Sequence, residues 1–314
     1  MLFGLSRRSS QWQEQIEQMD PETEYFEIAR ILISREFCLD ILMATEIAQL
    51  RTFTIPSISK LLHRTGQYEC EGEKRLDDTK AILVEMTLDS VHSSKGKEMA
   101  EHLNRIHSFY NISNDDYLYT LSTFIFDPFL WIEKYGWRKL TDKEKRAVYL
   151  YYKDMGEAMN IQHIPPSFDA FWEWRNQYEA NHQAYAETNT FVALGLLHAI
   201  GSQFPKWMTP WLITFTCSLI DDHKFLGALG FSFPSSFVHR FIQGAMSLRK
   251  VMLKYVTIWD KNNFLDSWLF NHYPTYPDGY ENSQLGPTKL VNKMNQEKEA
   301  FMARGCPHHR KKAS

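Results

Sequence analysis

Apolar positions in this chain recur at three- and four-residue spacings far more often than at alternate ones, the periodicity of amphipathic helices rather than of strands. Glu22–Arg51 reads as one long helix of strong helix formers, ended by the Thr-rich segment before Pro56. Pro56 opens a short helix over Ser57–Arg64 that closes at Thr65-Gly66, because proline suits a first helical turn and glycine a left-handed end. Lys74–Ser90 is the next helix, followed by a turn over Ser93–Lys97 and a helix over Glu98–Tyr110. Asn114-Asp115-Asp116 supplies an N-cap for Tyr117–Phe126. Thr141-Asp142-Lys143-Glu144 has capping-box spacing and starts a helix that reaches about Met159. Pro165-Pro166-Ser167 begins another, running past Trp172 and Trp174 toward Gly201, and Pro210–Leu226 and Pro234–Tyr255 follow. No alternating strand of useful length, internal repeat, glycine-rich phosphate loop or linker interrupts the pattern. The expected fold is therefore all-α, a single helical domain. Residues 1–20 read as an N-terminal segment, 21–258 as the helical domain and 259–314 as an irregular C-terminal extension with a basic tail.

Composition narrows the picture. With 44% hydrophobic and 14% aromatic residues among 314, the chain can bury a large core. Thirty-five Lys and Arg stand against 38 Asp and Glu, interspersed, for a net charge of −3. That balance gives no basic field of the kind nucleic-acid binding needs. Four scattered cysteines are too few for a disulfide framework and favour a reducing, intracellular setting. The N-terminus is apolar for only a few residues before Arg7-Arg8, too short for a secretory signal. The expected location is cytoplasmic or a cytosol-facing membrane surface such as the endoplasmic reticulum. A spanning helix wants about 20 predominantly apolar residues. Thr188–Pro205 contains several polar residues and Trp207–Ile220 contains Pro210, so both are expected to be buried helices, with peripheral membrane contact as the alternative.

Within Glu98–Tyr110, Met99, Leu103, Ile106 and Tyr110 form an apolar stripe, and His102 and His107 flank it on opposite sides. A histidine beside a buried face is an iron ligand or an ordinary packed side chain, and periodicity does not choose between them. On the preceding helix, Arg75 and Thr79 share a face continued by Ile82 and Met86. An arginine and a hydroxyl there suit an acidic group or bound oxygen, or simply face solvent. Three further clusters hold metal-binding residue types. Glu179 and His182, with Asp89 and His92 as a second pair, have the spacing of helical di-iron sites but lack the additional carboxylates. Asp221-Asp222-His223 reads as a polar turn at a helix C-terminus, and Cys306-Pro307-His308-His309 as part of a solvated basic tail.

The segments RTFTIPSISKLLHRTGQYE (51–69), Arg75-Leu76-Asp77-Asp78-Thr79 and HLNRIHSFYNISNDDYLYTLSTFIFDP (102–128) follow one another in an order that resembles the family of MpaB oxygenases and latex-clearing rubber oxygenases. The likeness continues through YGWRKLTDKEKRAVYLYYKDMGEAMNI (135–161), FWEWRNQYE (171–179) and LIDDHKFLGALGFSFP (219–234), covers roughly residues 25–255, and is closer to the MpaB branch. The resemblance implies a globin-like helical core around haem b and dioxygen-dependent cleavage of carbon–carbon double bonds in isoprenoid chains. It implies His107 as the proximal iron ligand, and Arg75 and Thr79 as the polar pair lining the haem pocket. The partners it implies are an apolar small-molecule substrate and dioxygen. The rubber branch carries a lysine just before that threonine, whereas this chain has Asp78, which cannot serve as a nitrogen ligand. Fungal members also carry an N-terminal membrane anchor, which this sequence is expected to lack. Two other readings stay open: a non-enzymatic helical protein binding a lipid or partner, and a di-iron oxygenase.

Overall fold

A computed structural model describes residues 5–7, 9–258 and 271–303, and these form a helical domain. Helix α1 (Gln11–Gln18) buries Ile16 and leads to α2 (Tyr25–Ile31). The long helix expected over Glu22–Arg51 is interrupted. A π-helical turn over Leu32–Glu36 ends at Phe37, whose N–H donates to the Leu32 carbonyl at 2.9 Å, and α3 (Cys38–Thr52) restarts beyond it. The wider turn accommodates buried Glu36, which pairs with Arg138 at 3.0 Å. Helix α4 (Pro56–Thr65) begins on its proline and ends at left-handed Gly66, as expected, and the single turn α5 (Gln67–Cys70) follows.

Helices α6 (Gly72–Leu88), α7 (Ser94–His107), α8 (Asn114–Tyr135), α9 (Asp142–Ala158) and α10 (Phe168–His182) build the body. Ser93 caps α7 and Ser113 caps α8, so the expected turn over Ser93–Lys97 is already helical and the Asn114-Asp115-Asp116 cap shifts one residue earlier. Pro128 lies inside α8, which runs well beyond Phe126. The capping box at Thr141 and Glu144 forms in both directions. Helix α10 starts after Ser167 but stops at His182, because Asn189 clamps the chain there: its Nδ2 donates to the Ala184 and Ala228 carbonyls at 2.9 and 2.8 Å. Helix α11 (Glu187–Gly201) is thus separate, and Gly195 lets it press on α5, since a Cβ there would sit 2.6 Å from the Tyr68 carbonyl. The expected Pro210–Leu226 helix also divides, into α12 (Thr209–Leu219) and α13 (His223–Ala228), with Asp222 capping the second. Helix α14 (Ser236–Leu253) is followed by a three-residue strand, Val256–Ile258, paired antiparallel with Leu5–Arg7.

The C-terminal region, expected to be irregular, contributes to the core and carries a helix, α15 (Thr288–Ala303). Tyr273 and Leu285 are buried in the same cluster as Met99, Leu103, Leu121 and Phe126. Asp77 accepts from the Thr275 N–H and hydroxyl at 2.9 and 2.8 Å, and Lys74 reaches the Gly286 carbonyl at 2.6 Å. Residues 271–286 are therefore strapped across α6. Of the two apolar stretches read as buried, the first is buried along Val192, Ala193, Leu196 and Leu197, although Phe191 and Phe204 are 41% and 47% exposed. The Trp207–Ile220 stretch is not: Trp207 and Trp211 are 71% and 67% exposed. Among the described residues no helix is long and apolar enough to cross a membrane.

A buried ion network locks α3, α8 and α10 together. Arg51 donates to Asp127 at 2.6 Å and Glu179 at 3.0 Å, Arg175 lies 3.5 and 3.6 Å from the same two carboxylates, and Tyr119 donates to Glu179 at 3.2 Å. Removing one partner from such a network leaves an uncompensated interior charge. Asp127→Ala is expected to destabilise the fold by about 3–5 kcal/mol, read by urea unfolding, whereas an exposed change such as Lys60→Ala leaves the midpoint close to that of the parent.

Candidate cofactor site

Helix α7 buries Met99, Leu103 and Ile106, as the stripe predicts, while Tyr110 lies just beyond the helix end. The two flanking histidines part company. His102 is engaged: its Nε2 lies 2.7 Å from the Leu285 carbonyl and fastens the C-terminal strap. His107, the last residue of α7, has a buried Nδ1 with no hydrogen-bond partner among the described residues. Its ring meets Tyr117 of α8 edge-on, with centroids 5.5 Å apart. Burial, and secondarily the charge of Arg75, lower its pKa to about 4, so at neutral pH it is an uncharged imidazole with a lone pair to offer. An unsatisfied buried nitrogen costs on the order of 1–3 kcal/mol, and such an orphan in a native interior calls for a functional account.

Arg75 and Thr79 sit together on α6, as predicted. The Arg75 guanidinium donates to the Thr79 hydroxyl, which itself donates to the Arg75 carbonyl at 2.8 Å. The guanidinium also lies over the Tyr68 ring, 5.4 Å from its centroid. Among the described residues it has no carboxylate within ion-pair distance, unlike the carboxylate-paired interior cations Arg51, Arg138 and Arg175. Its charge is felt at His107 and at the Tyr110 hydroxyl, so the three predicted residues share one neighbourhood. That neighbourhood can take an anion from α6 and a Lewis-acidic centre from α7. By their chemistry the residues present would suit a haem: a neutral imidazole could ligate its iron, and a guanidinium without a carboxylate partner could take its carboxylate edge.

Sequence reasoning missed Glu46. Tyr68 donates to the Gln49 side-chain oxygen at 3.2 Å, and the Gln49 amide donates to Glu46 at 3.2 Å, so a polar chain runs from α3 through α5 to Arg75. Burial pushes the Glu46 carboxyl up to about 7, against the opposing pull of Lys80. Glu46, Arg75, Thr79, His107 and Tyr117 are half-buried, although surrounding protein strips Glu46 and His107 of water. A separate cleft of about 560 Å³ opens between α5, the start of α6 and α11, and touches this set only through Tyr68.

The other sequence candidates resolve as structure. Glu179 belongs to the Arg51 network, and His182 Nδ1 lies 2.9 Å from the Tyr178 carbonyl. His92 pairs with Asp154 at 2.7 Å. Asp222 caps α13 at its N-terminus, which corrects the expected C-terminal turn, and His223 stacks on Phe233. Among the described residues no three His, Cys, Asp or Glu side chains converge as a di-iron site requires. Cys306-Pro307-His308-His309 lies outside the described residues.

A family model described as "ER-bound oxygenase mpaB/B'/Rubber oxygenase, catalytic domain" matches residues 63–246, a span that holds Arg75, Thr79 and His107. This chain belongs to that family. It is 26% identical to the ER-bound oxygenase mpaB' of Penicillium brevicompactum over 92% of this chain and 85% of the relative. It is 29% identical to ER-bound oxygenase mpaB of Penicillium roqueforti (strain FM164) over 64% of this chain and 74% of the relative. It is 31% identical to ER-bound oxygenase mpaB of Penicillium brevicompactum over 51% and 46%. In this family member, Asp78 is committed elsewhere: it is buried, and its carboxylate takes Lys74 at 2.9 Å and the Tyr276 hydroxyl at 2.5 Å.

The raised carboxyl of Glu46 has a measurable signature. The folded state keeps the proton between the ordinary pKa of 4.5 and about 7, where the unfolded chain has released it, so stability falls as pH rises through that window. Glu46→Gln should flatten this dependence and stabilise the protein by on the order of 2 kcal/mol above pH 7. Urea unfolding of both proteins at pH 5 and pH 8 checks it.

Proposed function

We propose that this chain is a haem b-dependent oxygenase that uses dioxygen on an apolar, isoprenoid- or lipid-like substrate, with oxidative cleavage of a carbon–carbon double bond as the reaction class. The observation that carries the reading is the unpartnered, uncharged His107 beside the unpaired guanidinium of Arg75. The relatives' printed names describe oxygenases, and family membership brings that activity class to this chain. The same names say ER-bound, which fits the proposed place at the cytosol-facing surface of a membrane.

His107 would hold the iron through its imidazole, and Arg75 would take a propionate carboxylate or, with Thr79, hydrogen-bond to dioxygen. When bound, haem supplies the iron chemistry that activates dioxygen. The chain supplies what surrounds it. Tyr117 fixes the imidazole ring edge-on, and the aromatic cluster of α8 and α9, with Phe124 stacked on Tyr152, keeps water from the interior. Glu46, with its carboxyl raised to about 7, can accept or return a proton at its own oxygen.

Purified protein reconstituted with haemin should show a Soret band that His107→Ala weakens or abolishes. Arg75→Ala should keep the band while lowering haem affinity roughly tenfold, as loss of a supporting contact does. Protein that stays colourless with added haemin, with a His107→Ala variant indistinguishable from the parent, would instead support a non-enzymatic lipid- or partner-binding protein.

A further inference from the structure

Helix α14 carries its apolar stripe on the wrong side for a core. Phe237, Phe241, Leu248 and Met252 fall at intervals of four, seven and four residues, one face of the helix, and are 76%, 69%, 61% and 57% exposed. Gly244, the stripe position between Phe241 and Leu248, faces open space. Helix α14 is nonetheless anchored on its opposite side: Met246 is buried with Trp131 and Tyr135, and the Gln243 amide donates to the Ser218 carbonyl of α12 at 2.7 Å. Packed against α14, α12 and the turn before it expose Trp207 and Trp211. Below Trp211 lies an almost wholly apolar hollow of about 210 Å³, lined by Phe204, Met208, Leu212 and Phe215. Monomeric soluble proteins rarely leave contiguous apolar surface of this kind uncovered.

Charge on the same elements identifies the occupant. Between residues 188 and 258 the sequence contains two carboxylates, Asp221 and Asp222, against six Lys and Arg, in a chain whose overall charge is negative. Asp222 caps α13 and Asp221 pairs with Lys134 and His239. Lys206, Arg240 and Lys254 are exposed beside the apolar stripe. Exposed tryptophans, a helical stripe of large apolar side chains and a cationic fringe together match a lipid–water interface.

We infer that α12, α14 and the turn at Trp207 form a membrane-docking face that lies in the surface of a bilayer containing anionic lipid. Its apolar stripe would enter the headgroup–acyl boundary, with the hollow under Trp211 taking an acyl segment. The face is independent of haem, so the test leaves the functional reading aside. Full-length protein is floated with vesicles of phosphatidylcholine alone or mixed with phosphatidylserine. The parent is expected to float with the mixed vesicles, less strongly as salt rises. Trp211→Glu and Phe241→Glu should each weaken partitioning by roughly tenfold or more, and the double change Arg240→Glu, Lys254→Glu should remove the preference for anionic lipid. Each position is exposed, so unchanged circular dichroism and thermal midpoint verify that the variants fold. Parent protein that stays unbound to both vesicles overturns the inference, as do Trp211→Glu and Phe241→Glu variants that float like the parent. So does sedimentation velocity showing a lipid-free dimer that Phe241→Glu splits, which would make the face a subunit contact.

Discussion

A guanidinium can be carried into a helical interior only if carboxylates go with it, and the position of Arg51 near the end of α3 imposes that condition on the whole body of the protein. Asp127 from α8 and Glu179 from α10 meet it, while the Phe225 ring of α13 lies under the guanidinium, 4.4 Å from its carbon. Four helices therefore converge on one side chain. Fixing Arg51 also fixes the rotation of α3. Two and five residues back along that helix, Gln49 meets the Tyr68 hydroxyl and Glu46 accepts from Gln49. The interior polar chain that leads to Arg75 depends on that register.

The candidate site is legible as a set of contrasts between like residues. Arg51, Arg138 and Arg175 each have carboxylates at ion-pair distance, and Arg75 has none among the described residues. His102 and His107 lie five residues apart on one helix, but the first holds the strap at Leu285 while the second keeps a dry, unbonded nitrogen. Folding favours satisfied groups, so an orphaned imidazole nitrogen beside a guanidinium that has no carboxylate is weakly explained by packing alone.

Much of the helical pattern was readable from residue types. Pro56, Gly66 and the Thr141–Glu144 box act locally, and each forms as its chemistry dictates. The breaks were hidden because tertiary partners cause them. The π-turn before Phe37 answers to Glu36 and Arg138, and the end of α10 answers to the distant Asn189. The C-terminal strap looked irregular because its anchors, Asp77, Lys74 and His102, lie far away in sequence. Within the site, periodicity leaves His107 level with His102; the family resemblance points to His107, and in the fold the bonded ring of His102 contrasts with the orphaned nitrogen of His107. Glu46 stood in an apolar-periodic helix where a single carboxylate reads as a solvated face. Its nature follows from burial, which sequence does not display.

Helix α6 shows how one element serves both cover and chemistry. Successive helical residues are rotated by about 100°, so Asp78 projects away from the direction of Thr79. Asp77 and Asp78 bind Thr275 and Tyr276, drawing residues 271–286 over the outer face of the helix. Their charge is met there by Lys74 and Lys80. A basic side chain at position 78 would oppose Lys74 and lose the Tyr276 hydroxyl, loosening the strap. The aspartate that departs from the rubber-branch pattern is thus compatible with the inner face of α6, where Arg75 and Thr79 bond to each other while the acidic pair on the outer side holds the helix in place.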